Sequence, residues 1–383
     1  MNRDLFTEEH NNFRSMIRSY IAREVSPVFT EWIEDGIVPR EQFAKLAELG
    51  LMGFNIPEQY GGAGPVDYLY NVIISEEAAR AFVHLGPFRC HSDIVMPYLL
   101  AYANDEQRGR WFPRIAAGEL ITAIAMTEPG AGSDLAGIRT TAIRDGDSYI
   151  LNGAKTFVTG GISADLVIVV ARTSKDDTNR RNGLSLAVVE QGMDGFTKGR
   201  KLQKVGLAVQ DTAELSFTDV RVPVSNILGE PGEAFNYLGH NLVGERLSIA
   251  VASLAASQAA LAATVEYVKG REIFGKALSS FQNTKFELAS VATELEAGQV
   301  FLDRALMEHM AQRLVPADAA KLKLFASELQ GRVVDRCLQL FGGYGYMSEY
   351  PIARLYADAR VSRIYGGTSE VLKLIIAQSL GLR

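Results

Sequence analysis

Cysteine is scarce in this 383-residue chain, which contains only Cys90 and Cys337. The two lie far apart in sequence and in no metal-ligand spacing, which excludes a disulfide framework and a cysteine-based zinc site. The five histidines form no H-E-x-x-H pattern either, so we expect no metal centre. Unpaired cysteines suit a reducing compartment, and we therefore expect a cytoplasmic protein.

Positive charge is also in short supply, because 39 lysines and arginines stand against 45 aspartates and glutamates, for a net charge of −6. Nucleic acids attract proteins with a basic face, so we expect no nucleic-acid partner. Residues 1–5 contain no signal-peptide core. The apolar stretch 247–265 is rich in alanine and interrupted by three serines and a glutamine. That composition favours a buried helix, and we expect no membrane insertion.

The chain has the composition of a well-packed globular protein, with 47% hydrophobic and 22% charged residues and a length suited to two or three domains. Apolar residues recur at helical spacing through residues 1–120, whereas 121–232 contain short β-rich runs. Helical patterns return over 233–383, where Pro316 can begin a helix because its missing N–H costs nothing at that position. This order predicts a mixed α+β protein.

Turn signals divide the middle region into strands. Asp145-Gly146 and Asn152-Gly153 predict hairpin turns, because such pairs accept the positive φ angles that tight turns require. The β-rich runs 166–170 and 184–189 each predict a strand.

The segment 123–134, A-I-A-M-T-E-P-G-A-G-S-D, is the most informative part of the chain. Apolar residues change abruptly to a loop of small residues, which predicts a strand followed by an irregular loop. Such a loop lets a flat polar cofactor lie against backbone N–H groups. A dinucleotide fingerprint suits the segment less well, since Leu135 stands where the third glycine belongs, and a plain β-turn is the bland alternative. The run resembles the flavin-binding signature of the acyl-CoA dehydrogenase family.

This resemblance covers essentially the whole chain and is closest to the long-chain branch of the family. It implies an N-terminal α-helical domain over 1–120, a middle β-barrel or sandwich domain over 121–232, and a C-terminal four-helix bundle over 233–383. It also implies FAD as the cofactor. The cofactor contacts that the matching positions imply are Met126, Thr127, Ser133, Phe157, Thr159, Arg271, Phe274, Gln282, Gln339, Gly342, Gly343, Thr368 and Glu370.

Two of these segments carry specific expectations. Phe157 stands in K-T-F-V-T where most relatives have a tryptophan, so an aromatic face for the flavin ring is retained. Arg271 begins an R-x-x-F-G-K run and resembles the arginine that meets the pyrophosphate of a flavin bound mainly to a neighbouring subunit, a task that suits a forked cation. Gln339 begins the companion Q-x-F-G-G run. The resemblance thus implies a homo-oligomer, most simply a homotetramer.

The catalytic base is implied at an unusual position. R-I-Y-G-G-T-S-E, residues 363–370, resembles the catalytic loop, but Gly366 stands where many relatives carry a glutamate. Long-chain and isovaleryl-CoA dehydrogenases place the base on an earlier helix before an Arg-Leu pair, and Glu245 precedes Arg246-Leu247 in the same way. The resemblance implies Glu245 as the base, the alternative being an ordinary surface carboxylate. The Gly366 N–H would hold the thioester carbonyl.

The substrate contacts implied by the resemblance are Ser133, Arg246, Tyr365 and Gly367, with Arg246 equally suited to a structural ion pair. The implied reaction converts an acyl-CoA to its trans-2-enoyl thioester and passes electrons to an electron-transfer flavoprotein. Gln378 stands where many relatives have an arginine for the phosphorylated end of CoA, and glutamine carries no charge for a phosphate. Another basic residue can supply that contact, or the substrate is a carrier-protein thioester. A flavin oxidase or monooxygenase on the same scaffold is a further alternative.

Overall fold

The structure is a computed structural model that describes residues 3–176 and 178–382. Predictions that touch residues 1, 2, 177 and 383 lie outside the described part at those positions. Helices come first in the chain, strands follow, and long helices end it. This arrangement confirms the predicted α+β class.

The N-terminal region is helical because its apolar residues recur at helical spacing and meet in one core. That core contains Ile17, Phe43, Leu46 and Leu51, all nearly inaccessible to solvent. The helices are α1 (Glu8–Tyr20), α2 (Phe29–Asp35), α3 (Glu41–Glu48), α4 (Leu69–Arg80), the single turn α5 (Phe88–Cys90), α6 (Met96–Tyr102) and α7 (Asp105–Ala116).

The middle region forms one connected sheet in which the strand order is β6-β7-β3-β2-β4-β5-β8, with β1 beside β4. Its strands are β1 (Thr122–Ala125), β2 (Thr141–Asp145), β3 (Ser148–Thr159), β4 (Leu166–Arg172), β5 (Leu184–Glu190), β6 (Phe196–Lys201), β7 (Thr212–Pro223) and β8 (Ile227–Leu228). The two runs 166–170 and 184–189 are strands β4 and β5, as predicted, and the structure shows that they pair antiparallel and are buried on both faces. β1 lies parallel to β4, and the loop at 126–134 follows its C-terminal end.

The predicted hairpin at Asn152-Gly153 is wrong. The Asp145-Gly146 turn does join β2 to β3, but Asn152-Gly153 lies inside β3, at a bulge in its pairing with β7. Gly153 has a φ of +150°, and a Cβ there would come within 2.5 Å of Thr140 Oγ1. The glycine is needed for a bulge and a close approach of two strands, which give the same sequence signal as a turn.

Long helices form the C-terminal region, together with the short ribbon of β9 (Glu272–Ile273) and β10 (Lys276–Ala277). The helices are α8 (Ala234–Gly270), α9 (Gln282–Met310), α10 (Pro316–Phe341), α11 (Pro351–Ala359) and α12 (Ser369–Ser379). α8, α9 and α10 pack against one another, and α8 also contacts α4 and the wide helical turn His91–Val95. α8 is long and apolar enough to cross a membrane by length and composition, but 56% of its most apolar window is buried inside the protein.

Candidate active site

The small-residue loop after β1 is pinned to strand β3. Lys155 Nζ donates to the Met126 carbonyl at 3.0 Å, and the Thr156 N–H donates to the Thr127 carbonyl at 2.9 Å. The structure therefore brings Met126 and Thr127 next to Phe157, as their predicted role in one cofactor site requires. Ser133 lies further along the same loop and is exposed.

Phe157 departs from ordinary strand geometry. Its φ is +57°, which is strained for a bulky residue, and β3 shifts register against β7 between Lys155 and Val158. As a result the ring is 68% exposed although both neighbouring side chains are nearly buried. An exposed aromatic face held by a strained backbone indicates a binding role. Thr159, two residues on, accepts a hydrogen bond from Gln210 Nε2 at 3.3 Å.

A second group of predicted cofactor residues lines a separate cavity of about 600 Å³ at the ends of α8 and α10. Its walls include Arg271, Gln339, Gly342 and Gly343, and the Arg271 guanidinium lies 5.6 Å from the centre of the Tyr344 ring. A Cβ at either glycine would meet no atom within 4 Å, so the cavity wall is open there. Within the described residues, none from the sheet lines this cavity.

Phe274 and Gln282 lie beside that cavity and are both exposed to solvent. The Phe274 ring packs edge-on against Phe281, which immediately precedes α9. Such a large exposed apolar side chain on a short ribbon is typical of a surface that another chain covers.

Glu245 lies on α8 and is 7% exposed. Its Oε1 is buried without a hydrogen-bond partner among the described residues. Burial raises its pKa to about 7, although the charges of Arg246 and then Arg89 act in the opposite direction. The alternative of an ordinary surface carboxylate does not fit this location, since the group is enclosed and poised to accept a proton near neutral pH.

The segment carrying Gly366 lies against α8. Arg246 Nε donates to the Gly366 carbonyl at 3.4 Å, and Lys323 Nζ donates to the Gly367 carbonyl at 2.8 Å. No described residue accepts a hydrogen bond from the Gly366 N–H. Two cations thus hold successive carbonyls of the loop and leave that N–H available to a ligand. Tyr365 is half-buried beside them.

The three domain models of one family match the chain in order: acyl-CoA dehydrogenase N-terminal domain over 7–119, middle domain over 123–220 and C-terminal domain over 232–381. The chain belongs to the acyl-CoA dehydrogenase family. It is 47% identical over 378 residues to a mitochondrial long-chain specific acyl-CoA dehydrogenase from Sus scrofa, covering 99% of this chain and 88% of that protein. It is therefore an oxidoreductase, and the predicted family and enzyme class are confirmed.

Solved structures of this family have the same fold as this chain. An acyl-CoA dehydrogenase from Geobacillus kaustophilus superposes with a TM-score of 0.97 at 47% identity, with 100% of both chains covered. A glutaryl-CoA dehydrogenase from Mycobacterium smegmatis in complex with FADH2 superposes with a TM-score of 0.89 at 29% identity, covering 98% of this chain and 95% of that one.

FAD is the cofactor of this family, and the residues of this enzyme fit it. The exposed Phe157 ring offers an apolar face for a flat heterocycle. The glycine-lined cavity beside Arg271 offers space, open backbone and a forked cation for a diphosphate. These are the complementary needs of the two ends of a dinucleotide, so the predicted FAD is confirmed as the cofactor.

The last two predicted cofactor residues begin α12. Thr368 is the N-cap of this helix, and its hydroxyl accepts a hydrogen bond from the Val371 N–H at 3.3 Å. Glu370 lies in the first turn and is exposed. The capping role of Thr368 is structural, and it orients the segment that carries Gly366.

Sequence motifs missed three ionic groups of the dehydrogenase, of which Lys323 and Asp93 are buried and Arg89 is half-buried. Lys323 is fully buried, and burial lowers its pKa to about 8, with a further decrease caused by Arg246. Arg89 reaches the corner between α8 and the loop that carries Gly366. Asp93 accepts hydrogen bonds from Asn71 and Ser248 in the same corner. None of the three lies in a recognisable motif, so only the fold shows that they lie around α8 and the loop at Gly366.

Proposed function

We propose that the enzyme removes the α-proton of an acyl-CoA thioester with Glu245 and yields the trans-2-enoyl thioester. The observation that carries this proposal is the enclosed Glu245 carboxylate, one oxygen of which has no partner among the described residues and whose pKa is raised to about 7 by burial. A base works best when its pKa lies near the working pH. Binding of an acyl group removes further water from this corner and makes the carboxylate more basic still.

The remaining requirement is stabilisation of the negative charge that develops on the thioester oxygen. The Gly366 N–H is the protein donor for that oxygen, and Arg246 and Lys323 keep the loop that bears it in place. Bound FAD supplies the acceptor for the β-hydride, which no side chain can provide. Met126, Thr127, Phe157 and the loop to Ser133 would hold its ring end.

Two companion tests address the reaction and the electron acceptor. Anaerobic mixing with acyl-CoAs of graded length should bleach the flavin absorbance, and no bleaching with any of them would contradict the proposal. We further propose an electron-transfer flavoprotein as the acceptor. Reoxidation by such a protein should be much faster than by dioxygen, whereas fast reoxidation by dioxygen would favour the oxidase or monooxygenase alternative.

We also propose that the cofactor site is shared between chains of a homotetramer. Support comes from the lack of contact between the cavity at Arg271 and the sheet residues around Phe157 in the described chain, and from the exposed Phe274. Co-expression of Arg271→Ala and Phe157→Asp chains tests this. If sites are shared, mixed dimers contain one intact site, and about a quarter of all sites should retain FAD. If each chain binds FAD alone, none will.

The thioester carrier is proposed to be CoA in spite of Gln378, which is exposed near the end of α12. Kinetics with one acyl group presented as its CoA ester and as its pantetheine ester distinguish the alternatives. A strong preference for the CoA ester supports a basic contact elsewhere, whereas equal rates favour a carrier protein. The free thiols of Cys90 and Cys337 support a proposed cytoplasmic, reducing location.

A further inference from the structure

Arg89 lies in the single turn α5 and joins the two elements that form the catalytic corner. Its Nη1 donates to Ser248 Oγ at 3.0 Å, and its Nη2 donates to Tyr365 Oη at 3.3 Å. Ser248 follows Glu245 by three residues on α8, so both side chains lie on the same face of the helix. Tyr365 directly precedes Gly366. The guanidinium is therefore about one helical turn from the base, or ~5 Å along the axis.

The hydrogen bonds of Arg89 leave most of its donors unused. A guanidinium has five N–H groups, and two donate here to hydroxyl groups. The remaining three have no acceptor among the described residues. Asp93 reaches Arg89 only through Ser248, whose hydroxyl donates to Asp93 Oδ2 at 2.6 Å. The Asp93 carboxylate also accepts hydrogen bonds from Tyr68, Asn71 and Ser92, so it has little capacity left.

Beside Arg89 is a cavity of about 650 Å³. Its inner wall near Arg89 and Tyr365 is largely apolar and includes Phe88, Ala252 and Ala256. The acidic groups that line the cavity lie elsewhere. Glu34 and Glu349 are exposed, and Asp358 is paired with His84 at 3.2 Å. Among the described residues that line the cavity, no carboxylate accepts a hydrogen bond from Arg89, and its charged neighbours outside the lining are Asp93, reached through Ser248, and Glu245.

We propose that this cavity binds an acyl group that carries a carboxylate, and that Arg89 recognises that carboxylate. The inference rests on the proposed function, because it assumes that the thioester lies at Glu245. The short distance from Ser248 to Glu245 along α8 limits the chain to a few carbons between thioester and carboxylate. The substrate class is therefore the CoA monothioester of a short dicarboxylic acid.

A plain alkyl chain fits this environment poorly. It would exclude water from the three free N–H groups of Arg89 and leave them unpaired in an apolar surrounding, which is unfavourable. A carboxylate accepts two parallel hydrogen bonds from the guanidinium and neutralises its charge. Sites built to hydrogen-bond a substrate group reject analogues that lack it more strongly than apolar pockets reject an extra methylene.

The experiment compares substrates of equal carbon number. The kcat/KM of flavin reduction is measured for glutaryl-CoA against pentanoyl-CoA, and for adipyl-CoA against hexanoyl-CoA and the methyl ester of adipyl-CoA. The carboxylated member should be preferred by roughly 10²-fold or more, and the methyl ester should behave like hexanoyl-CoA. In the Glu245→Gln enzyme, calorimetry should show the same order of Kd values without turnover.

Variants of Arg89 then test the contact itself. In Arg89→Met the preference should disappear, and in Arg89→Lys, which keeps the charge but not the fork, about a tenfold preference should remain. Arg354→Met is the matched control, because Arg354 lines the same cavity but donates to the Phe82 carbonyl near α11. It should keep the full preference. FAD content is measured in each variant.

The outcomes separate this proposal from the proposed function. Reduction by uncharged acyl-CoAs with no preference for carboxylates would overturn the inference and leave the dehydrogenase proposal intact. So would equal behaviour of the methyl ester, equal loss with both substrates in Arg89→Met, or loss of FAD from that variant. Failure of every acyl-CoA to reduce the flavin would overturn both.

Discussion

The loop after β1 and the corner beside α8 each contain a buried glutamate, and the two carboxyl groups behave in opposite ways. Glu128 and Glu245 are both 7% exposed. Burial by itself raises the pKa of either group. For Glu128, however, hydrogen bonds from Thr140, Arg139 and Lys155 outweigh that effect and lower the pKa below its usual range. For Glu245, burial prevails and the pKa rises to about 7.

The difference lies in the partners that the fold supplies. Glu128 accepts hydrogen bonds from the Arg139 N–H at 2.8 Å, the Thr140 N–H at 2.9 Å and Lys155 Nζ at 2.9 Å. Glu245 has one oxygen without any partner in the described structure, and its neighbouring cations hydrogen-bond other groups. A satisfied carboxylate fixes a loop, whereas an unsatisfied one retains its capacity to accept a proton. Equal burial therefore does not imply equal function.

The largest expected effect comes from removing each carboxylate in turn. Glu245→Gln should lower the rate of flavin reduction by about 10²–10⁴-fold, since a positioned base is lost, and should leave FAD content unchanged. Stopped-flow spectroscopy with one acyl-CoA measures this. Glu128→Gln is the matched control. It should lower FAD retention and stability rather than the rate of the reduction step itself. Comparable rates for Glu245→Gln and the unmodified enzyme would remove Glu245 from the mechanism.

Removing Lys155, the cation paired with Glu128, should mainly lower the free energy of unfolding. Lys155→Met leaves a buried carboxylate without its cation, and we expect a loss of about 3 kcal/mol in the free energy of unfolding. Arg221→Met is the control, because Arg221 forms an ion pair with Asp145 at 2.8 Å in which both side chains are exposed. Exposed pairs contribute only about 0–1 kcal/mol. If urea unfolding shows equal losses of unfolding free energy in both variants, the buried pair of Glu128 and Lys155 contributes no more to stability than an exposed pair.

The two glutamates should also give opposite pH dependences. The carboxylate of Glu245 must be ionised to act, so the reduction rate should rise about tenfold per pH unit below pH 7 and level off above it. Because its folded pKa is raised, its contribution to stability is present below about pH 4.5 and is lost as pH rises towards 7. Glu128, with a lowered pKa, stabilises at neutral pH and loses that contribution on acidification.

Rate profiles and thermal unfolding of the two Gln variants against pH measure these trends. Glu245→Gln should become relatively more stable than the unmodified enzyme as pH rises, and Glu128→Gln should become relatively less stable. A rate midpoint near pH 4.5 would show that the corner does not desolvate Glu245.

The smallest expected effect comes from a variant in which the carboxylate is moved from position 245 to position 366. Gly366 has a φ of +63°, and a Cβ there would overlap Ile249 Cδ1. Ile249 lies one turn after Glu245 and so fills the space that a side chain on the loop would need. Glu245→Gln/Gly366→Glu should therefore remain as slow as Glu245→Gln. Adding Ile249→Ala should recover roughly tenfold in flavin reduction, since a base returns to the corner. Full recovery without that third change would contradict the steric argument.

Local signals in the sequence were sufficient for much of the fold. The runs 166–170 and 184–189 are the strands that their composition predicts, and Pro316 begins α10 as its missing N–H predicts. Asn152-Gly153 shows the limit of such signals. A glycine at a bulge and a glycine in a turn satisfy the same backbone need, and only the pairing of β3 with β7 distinguishes them.

For the site, the sequence alone determined which segments are proposed to hold the cofactor and the base, because those motifs are contiguous and can be recognised one residue at a time. Tertiary structure decided what surrounds them. Glu245 Oε1 has no partner among the described residues, Arg89 meets Tyr365 and Lys323 holds the Gly367 carbonyl because α8, α5, α10 and the loop converge on one corner. Desolvation and hydrogen bonding depend on distances between residues far apart in the chain, and no local pattern encodes those distances.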